Sequence, residues 1–252
     1  MEKYFDINKN GSNIRCKQYF LKGEVIKTCV IYGHGFAGHK ETKAAERFAE
    51  LVQKKHRDAA VITFDWPCHG KDVKKKLTLG DCLAYLETVI ADCAERFPES
   101  NLYGYATSFG GYLFLKYIHD HGSPFRKTAL RCPAVNMYEI LTEAIMKNDE
   151  TDKLRKGKDV PIGFDRKVMV NQNFLEELRN SDIREYVFLE QAEDILILHG
   201  TKDEVVPFEG SKAFAENNLI EFIPIQRANH QFQDPASMDE AIHHIQTFFF
   251  GG

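Results

Sequence analysis

Short apolar runs alternate with helix-period segments along most of this chain, and few folds accommodate that alternation. Strand-like runs lie at residues 27–32, 60–64, 102–105, 127–131, 194–198 and 220–224. Between them the sequence predicts helices at about 41–55, from Thr78 onward, at 109–121, near 208–216 and at 237–250. In the second of these, Leu79, Cys82, Leu83, Leu86, Val89, Ile90 and Cys93 recur at helical spacing, so one face is buried. Thr78 with Asp81 three residues on is a capping signature for its start. Strand, helix, strand, helix with short connections means a mainly parallel sheet flanked by helices on both faces. In such sheets reactive groups collect at the carboxyl ends of the strands. Ahead of this pattern, residues 4–7 and 14–20 are expected to pair as a hairpin through Asn10-Gly11.

The alternation breaks once. From about 134 to 189 the chain is charge-rich, with helical pieces at 138–146 and 174–180, a Gly157 turn and the stretch Pro161-Ile162-Gly163. We expect residues 1–133 and 190–252 to form the core domain and 134–189 an inserted lid over the functional edge of the sheet. Its apolar residues, among them Ile140, Ile145, Ile162 and Phe164, are candidates to line an acyl or aryl pocket, or else they fasten the lid to the body.

With 252 residues and 43% hydrophobic content, one domain with an insertion is the natural size. The net charge is −4, and no cluster of lysine and arginine alternates with aromatics, which argues against a nucleic-acid partner. The first residues lack the apolar core of a signal peptide and no run approaches a membrane span, so a soluble, cytoplasmic protein is expected. The six cysteines are scattered without a C-x-x-C pair, which speaks against a structural zinc site or a disulfide framework. Oligomeric state is not legible here.

Chemistry enters at Ala106-Thr107-Ser108-Phe109-Gly110-Gly111, between an apolar strand and an amphipathic helix. A serine on so abrupt a turn stands above the sheet edge with a helix N-terminus beneath it, which is a nucleophile's position. Small residues must flank it at two positions on either side; here these are Ala106, where glycine is usual, and Gly110. A hydroxyl needs a neighbouring imidazole to take its proton, and that imidazole needs a carboxylate to orient it. Asp203 follows the strand at 194–198 and His230 follows the strand at 220–224, giving the chain order Ser, Asp, His. His199, before a glycine at a strand end, is expected only to shape its turn. The Phe36 and Phe109 backbone N–H groups are the candidate oxyanion donors, with His34 beside them as a candidate substrate contact.

These residues resemble those of the α/β-hydrolase superfamily, through His34-Gly35-Phe36-Ala37-Gly38, Asp65-Trp66-Pro67-Cys68-His69-Gly70, the serine turn, His199-Gly200-Thr201-Lys202-Asp203 with Val206-Pro207, and Asn229-His230. The chain is most similar to the compact serine esterases, cinnamoyl-esterase-like and monoacylglycerol-lipase-like. The resemblance implies a small-molecule ester substrate, an acyl-serine intermediate and no cofactor. Three alternatives stand beside it. A serine aminopeptidase-like hydrolase would use the same groups on an amide. An NAD(P)-dependent oxidoreductase would use Gly33, Gly35 and Gly38 as a dinucleotide fingerprint, with Asp65 on the ribose. A non-catalytic ligand-binding protein would keep the fold without turnover.

Overall fold

The computed structural model describes residues 1–9, 11–72, 74–163 and 166–251. Strands β1 (Glu2–Lys9) and β2 (Ser12–Tyr19) form the expected hairpin. Gly11 in its turn has φ 72°, and Asn10 lies outside the described residues. The repeating part then begins with β3 (Thr28–Gly33), α1 (Lys43–Lys55), β4 (Ala59–Phe64), α2 (Leu79–Arg96), β5 (Asn101–Thr107), α3 (Phe109–His121) and β6 (Lys127–Arg131). The helix starts are set locally: Thr42 Oγ1 accepts from Ala45 N at 3.2 Å, and Thr78 Oγ1 from Asp81 N at 3.0 Å. Each satisfies one orphan donor of a first turn.

The connection after β6 holds α4 (Met137–Glu139), which runs on as a π-helical turn at Ile140–Ile145, then α5 (Asn148–Arg155). A separate two-stranded antiparallel pair follows, β7 (Val160–Ile162) with β8 (Val168–Val170), and then α6 (Gln172–Arg179). Regular alternation resumes with β9 (Ile195–Gly200), α7 (Phe208–Asn217), β10 (Glu221–Ile225) and α8 (Pro235–Phe250). The sequence pattern did not foresee α5 or the small hairpin. Leu154 is the sole buried residue of α5, so the helix has no apolar stripe. The hairpin strands are three residues long and one contains Pro161, too little for an alternation to register.

The main sheet has eight strands in the order β1-β2-β4-β3-β5-β6-β9-β10, antiparallel as far as the β2–β4 pair and parallel beyond it. Every residue of β4 and β9 is buried, which is why they read as mainly apolar runs. Pro224 is tolerated because β10 is an edge strand. Alternate strand residues serve two cores. Cys29 and Ile31 face α2, α3, α7 and the long connection; Val30 and Tyr32 face α1 and α8. Fully burying a side chain such as Phe48 or Val52 of α1 contributes about 1.5–3 kcal/mol, so both helices are held chiefly by their inward stripe. β5 lies between β3 and β6, which brings the loops that follow these strands to one rim of the sheet.

Candidate active site

Ser108 joins β5 to α3 with φ 52° and ψ −118°, a backbone region that residues carrying a Cβ rarely enter. It occupies the cap position of α3, yet its side chain caps nothing. The turn is this sharp because α3 runs hard against the end of β3. A Cβ added at Gly110 would lie 2.5 Å from Gly33 O and 2.7 Å from His34 O, so any side chain there must push the backbone at the end of β3 aside. Ala106 fits for a complementary reason. It is paired in register with Gly33, and a Cβ on Gly33 would meet the Ala106 methyl at 3.4 Å and the Phe114 ring at 2.8 Å. The missing side chain on one strand makes room for the extra methyl on its neighbour.

The loop after β3 lies against the serine. A Cβ on Gly35 would sit 3.3 Å from Ser108 Cβ and 3.8 Å from its Oγ. The loop then closes in a tight turn, with Gly38 N donating to Gly35 O at 3.0 Å and Ala37 at φ 58°. Among the described residues neither Phe36 N nor Phe109 N has a backbone acceptor, which leaves both donors free. Their rings meet edge to face, with centroids 5.7 Å apart.

Asp65, at the end of β4, pins this loop from below. Its carboxylate accepts from Lys40 N at 2.8 Å, Lys40 Nζ at 2.9 Å and Lys71 N at 3.0 Å. Burial alone would raise the Asp65 carboxyl. The Lys71 and Lys40 backbone N–H groups, the Lys40 ammonium and nearby His34 outweigh it and hold the group below its usual value. Removing one partner of such a buried pair typically costs 3–5 kcal/mol. This disposes of the dinucleotide expectation: the Asp65 side chain is fully buried and its acceptors are engaged, so no ribose hydroxyl can reach it.

His34 is also interior. Its Nδ1 donates to Gly35 O at 2.8 Å and its Nε2 lies 3.4 Å from Trp66 N. Burial first, with His69 adding to it, lowers this imidazole to about 3. The ring braces the loop, an arrangement unlike the substrate contact expected from sequence. His69 makes one bond, Nδ1 to Pro67 O at 2.8 Å, and burial lowers it to about 4.

Across the rim, the carboxylate and imidazole are joined. His230 Nδ1 donates to Asp203 Oδ2 at 2.8 Å, and Asp203 Oδ1 accepts from Val205 N at 2.9 Å and Val206 N at 2.8 Å. His199, expected only to shape a turn, presents Nε2 at 3.2 Å from the same Oδ2 and 3.1 Å from Val206 O. Burial would push the Asp203 carboxyl up; the bonds from His199 and His230, with the His230 charge and the Val206 N–H, hold it far below the usual carboxylate range. Four donors on one carboxylate leave it a single orientation. The signal for His199 was its spacing, four residues before the aspartate on the same strand end. Among the described residues Ser108 Oγ makes no hydrogen bond to His230, whose own partners are Asp203 and, through its backbone N–H, Glu204.

The long connection packs onto this rim. Phe174 stands edge-on to Phe109 at 6.3 Å, Tyr112 Oη donates to Ser181 O at 3.0 Å, and Leu79 N donates to Glu177 Oε2 at 2.7 Å. Of the proposed pocket residues, Ile140 and Ile162 are buried in the core, Ile145 is half-buried against it, and Phe164 lies outside the described residues. No described helix is long and apolar enough to cross a membrane.

Residues 62–251 match the model of the prolyl oligopeptidase family. No curated protein sequence matches the chain. Among solved structures it is similar to Est1E of Butyrivibrio proteoclasticus with bound ferulic acid, at TM-score 0.80 and 18% identity over 97% of each chain. It is also similar to the mouse alpha/beta hydrolase domain-containing protein 10, at TM-score 0.73 and 18% identity over 97% of each chain. A soluble variant of the Saccharomyces cerevisiae monoglyceride lipase in complex with a substrate analogue aligns at TM-score 0.75 and 13% identity, over 98% of this chain and 94% of that one. At these identities the likeness is one of fold, and the fold is that of the α/β-hydrolases.

Proposed function

The chain belongs to the prolyl oligopeptidase family of α/β-hydrolases, and we propose that it hydrolyses carboxylic esters through an acyl-serine intermediate on Ser108. The observation that carries this is the strained Ser108 turn on the same rim as the Asp203–His230 pair. Ser108 Oγ attacks the acyl carbon while His230 Nε2 takes its proton; Asp203, held by its other donors, keeps the Nδ1–H tautomer and stabilises the imidazolium. The free N–H groups of Phe36 and Phe109 receive the oxyanion, a contribution of a few kcal/mol each in comparable sites. His230 then returns the proton to the departing alkoxide, and water repeats the cycle on the acyl-serine. The segment 134–189 acts as the lid of this site, its aromatic and hydrogen-bonded contacts with the rim keeping water out until substrate enters.

The family match also favours a second substrate, the peptide bond, which the same groups attack but whose nitrogen leaves only after protonation. One experiment separates these readings. Wild type and Ser108→Ala are assayed on p-nitrophenyl esters of short to long acyl chains, an aryl ester, and aminoacyl p-nitroanilides, alongside labelling with a fluorophosphonate. Ester turnover with label on wild type alone supports the proposal. Anilide turnover without ester turnover moves the function to peptides, and equal activity in both proteins removes Ser108 as the nucleophile.

A further inference from the structure

Cys132 follows β6 with φ 47°, and its N–H donates to Leu198 O at 2.8 Å. A residue with a Cβ typically enters this left-handed region at a cost of about 1–2 kcal/mol. Here the bend aims the thiol at the base of the rim. The sulfur, a carboxylate oxygen of Asp203 and a ring nitrogen of His230 all lie within 4.8 Å of one another. Cys132 and the Asp203 side chain are buried, and the His230 side chain is 15% exposed. Acyl transfer has no use for this thiol.

A thiolate, a carboxylate and an imidazole are the donors of a three-ligand zinc site with an open fourth position. We propose that this triangle is an inhibitory site for a thiophilic divalent cation, Zn²⁺ or Cd²⁺, seated between His230 Nδ1, Asp203 Oδ2 and Cys132 Sγ. The inference rests on the hydrolase reading for its consequence, though not for its geometry. Metal–ligand bonds of about 2.0–2.3 Å span the triangle after small side-chain shifts. Burial first, and the Asp203 charge next, keep the Cys132 thiol protonated at rest. The cation displaces that proton to solvent, and the His230 ring proton moves from Nδ1 to Nε2. One proton is released for each cation bound, and no oxidation state changes. With Nδ1 ligated and Nε2 protonated, the ring has no lone pair to accept the serine proton, and catalysis stops. Mg²⁺ and Ca²⁺, which prefer oxygen ligands, are poorly matched to the site. The Cys132 and Asp203 side chains are buried behind His230, so the cation enters only as the His230 ring turns away from Asp203, and inhibition develops over time.

The test compares wild type with Cys132→Ala and Cys132→Ser, each checked for folding by circular dichroism and each normalised to its own uninhibited rate. Wild type is expected to lose activity progressively in micromolar Zn²⁺ or Cd²⁺ and to recover in chelator, with the inhibitory concentration rising at least tenfold in both variants. Cd²⁺ is also expected to give a thiolate charge-transfer absorption in the ultraviolet that the variants lack and that Ser108→Ala retains. Equal inhibition of wild type and variants, or an identical cadmium spectrum, overturns the proposal. The spectrum needs no turnover: if neither ester nor anilide is cleaved yet the absorption depends on Cys132, the hydrolase reading fails while the cation site stands.

Discussion

Gly110 and Gly80 each hold the second position of a helix, α3 and α2, so replacing either with alanine carries the same local preference. That preference favours alanine by at most about 1 kcal/mol. Around Gly80 there is nothing within 4 Å of an added Cβ, and Gly80→Ala is expected to raise the melting temperature by about 1–4 °C. Around Gly110 the same methyl would stand 2.5 Å from Gly33 O and 2.7 Å from His34 O. Carbon and backbone oxygen must then separate by about 1 Å to reach ordinary contact. Overpacking of this kind costs about 1–3 kcal/mol, which outweighs the helical gain and lowers the melting point by several degrees. The displaced atoms lead directly into the Phe36 loop, and an error of about 1 Å in a positioning group costs on the order of 100-fold in rate. Calorimetry and ester kinetics on both variants read the two effects separately. If Gly110→Ala melts with Gly80→Ala and keeps the wild-type kcat, the close approach of α3 to β3 does not govern the serine turn.

Asp203→Asn is expected to lower kcat on the order of 10⁴-fold in the ester assay, and a loss under tenfold would remove the pair from the proton relay. His199→Phe keeps an aromatic ring against Phe208 and Phe222 but removes one donor from Asp203; kcat should fall about 10–100-fold with KM nearly unchanged, and an equal change in both would argue against a positioning role. His34 and His69 are lowered to about 3 and about 4 in the folded protein, against about 6.5 unfolded, so their contribution is full above pH ~6.5 and is lost as pH falls toward those values. His69→Phe should flatten the slope of stability against pH by about one proton between pH ~6.5 and ~4 in urea titrations, and an unchanged slope would refute the assignment. Full ester hydrolysis is expected in excess EDTA, and abolition would require a metal that the proposed chemistry does not use.

The core was legible because its strands are covered on both faces, and burial of that kind leaves an apolar run in any sequence; β4 is the plainest case. The placement of Ser108, Asp203 and His230 was legible for a related reason, since each lies on the loop that follows a strand whose end the topology brings to one rim. The connection between β6 and β9 was not. Its pieces are stabilised by contacts with the body, as Phe174 with Phe109 and Glu177 with Leu79 N, and such contacts impose no period on the residues themselves. Asp65 left the dinucleotide alternative open because a carboxylate at a strand end looks the same whether it faces a ligand or a buried lysine. Lys40, 25 residues earlier in the chain, decides between the two, and only the fold brings them together. His199 went unrecognised because its value lies in where the ring nitrogen reaches.

Among the described non-glycine residues, seven have positive φ, and six of these (Ala37, Cys68, Ser108, Cys132, Arg227 and Phe232) lie in loops that leave the carboxyl ends of strands. The exception is Leu219, before β10. Mutational tolerance should therefore be sharply lopsided. Substitutions, insertions and new chain ends should be absorbed readily at the amino-terminal rim, where most backbone is ordinary. At the opposite rim each shape depends on its neighbours, and variants should survive there mainly in coordinated sets. A lineage drifting from this sequence would find new surfaces at one end of the molecule and new substrates, more slowly, at the other.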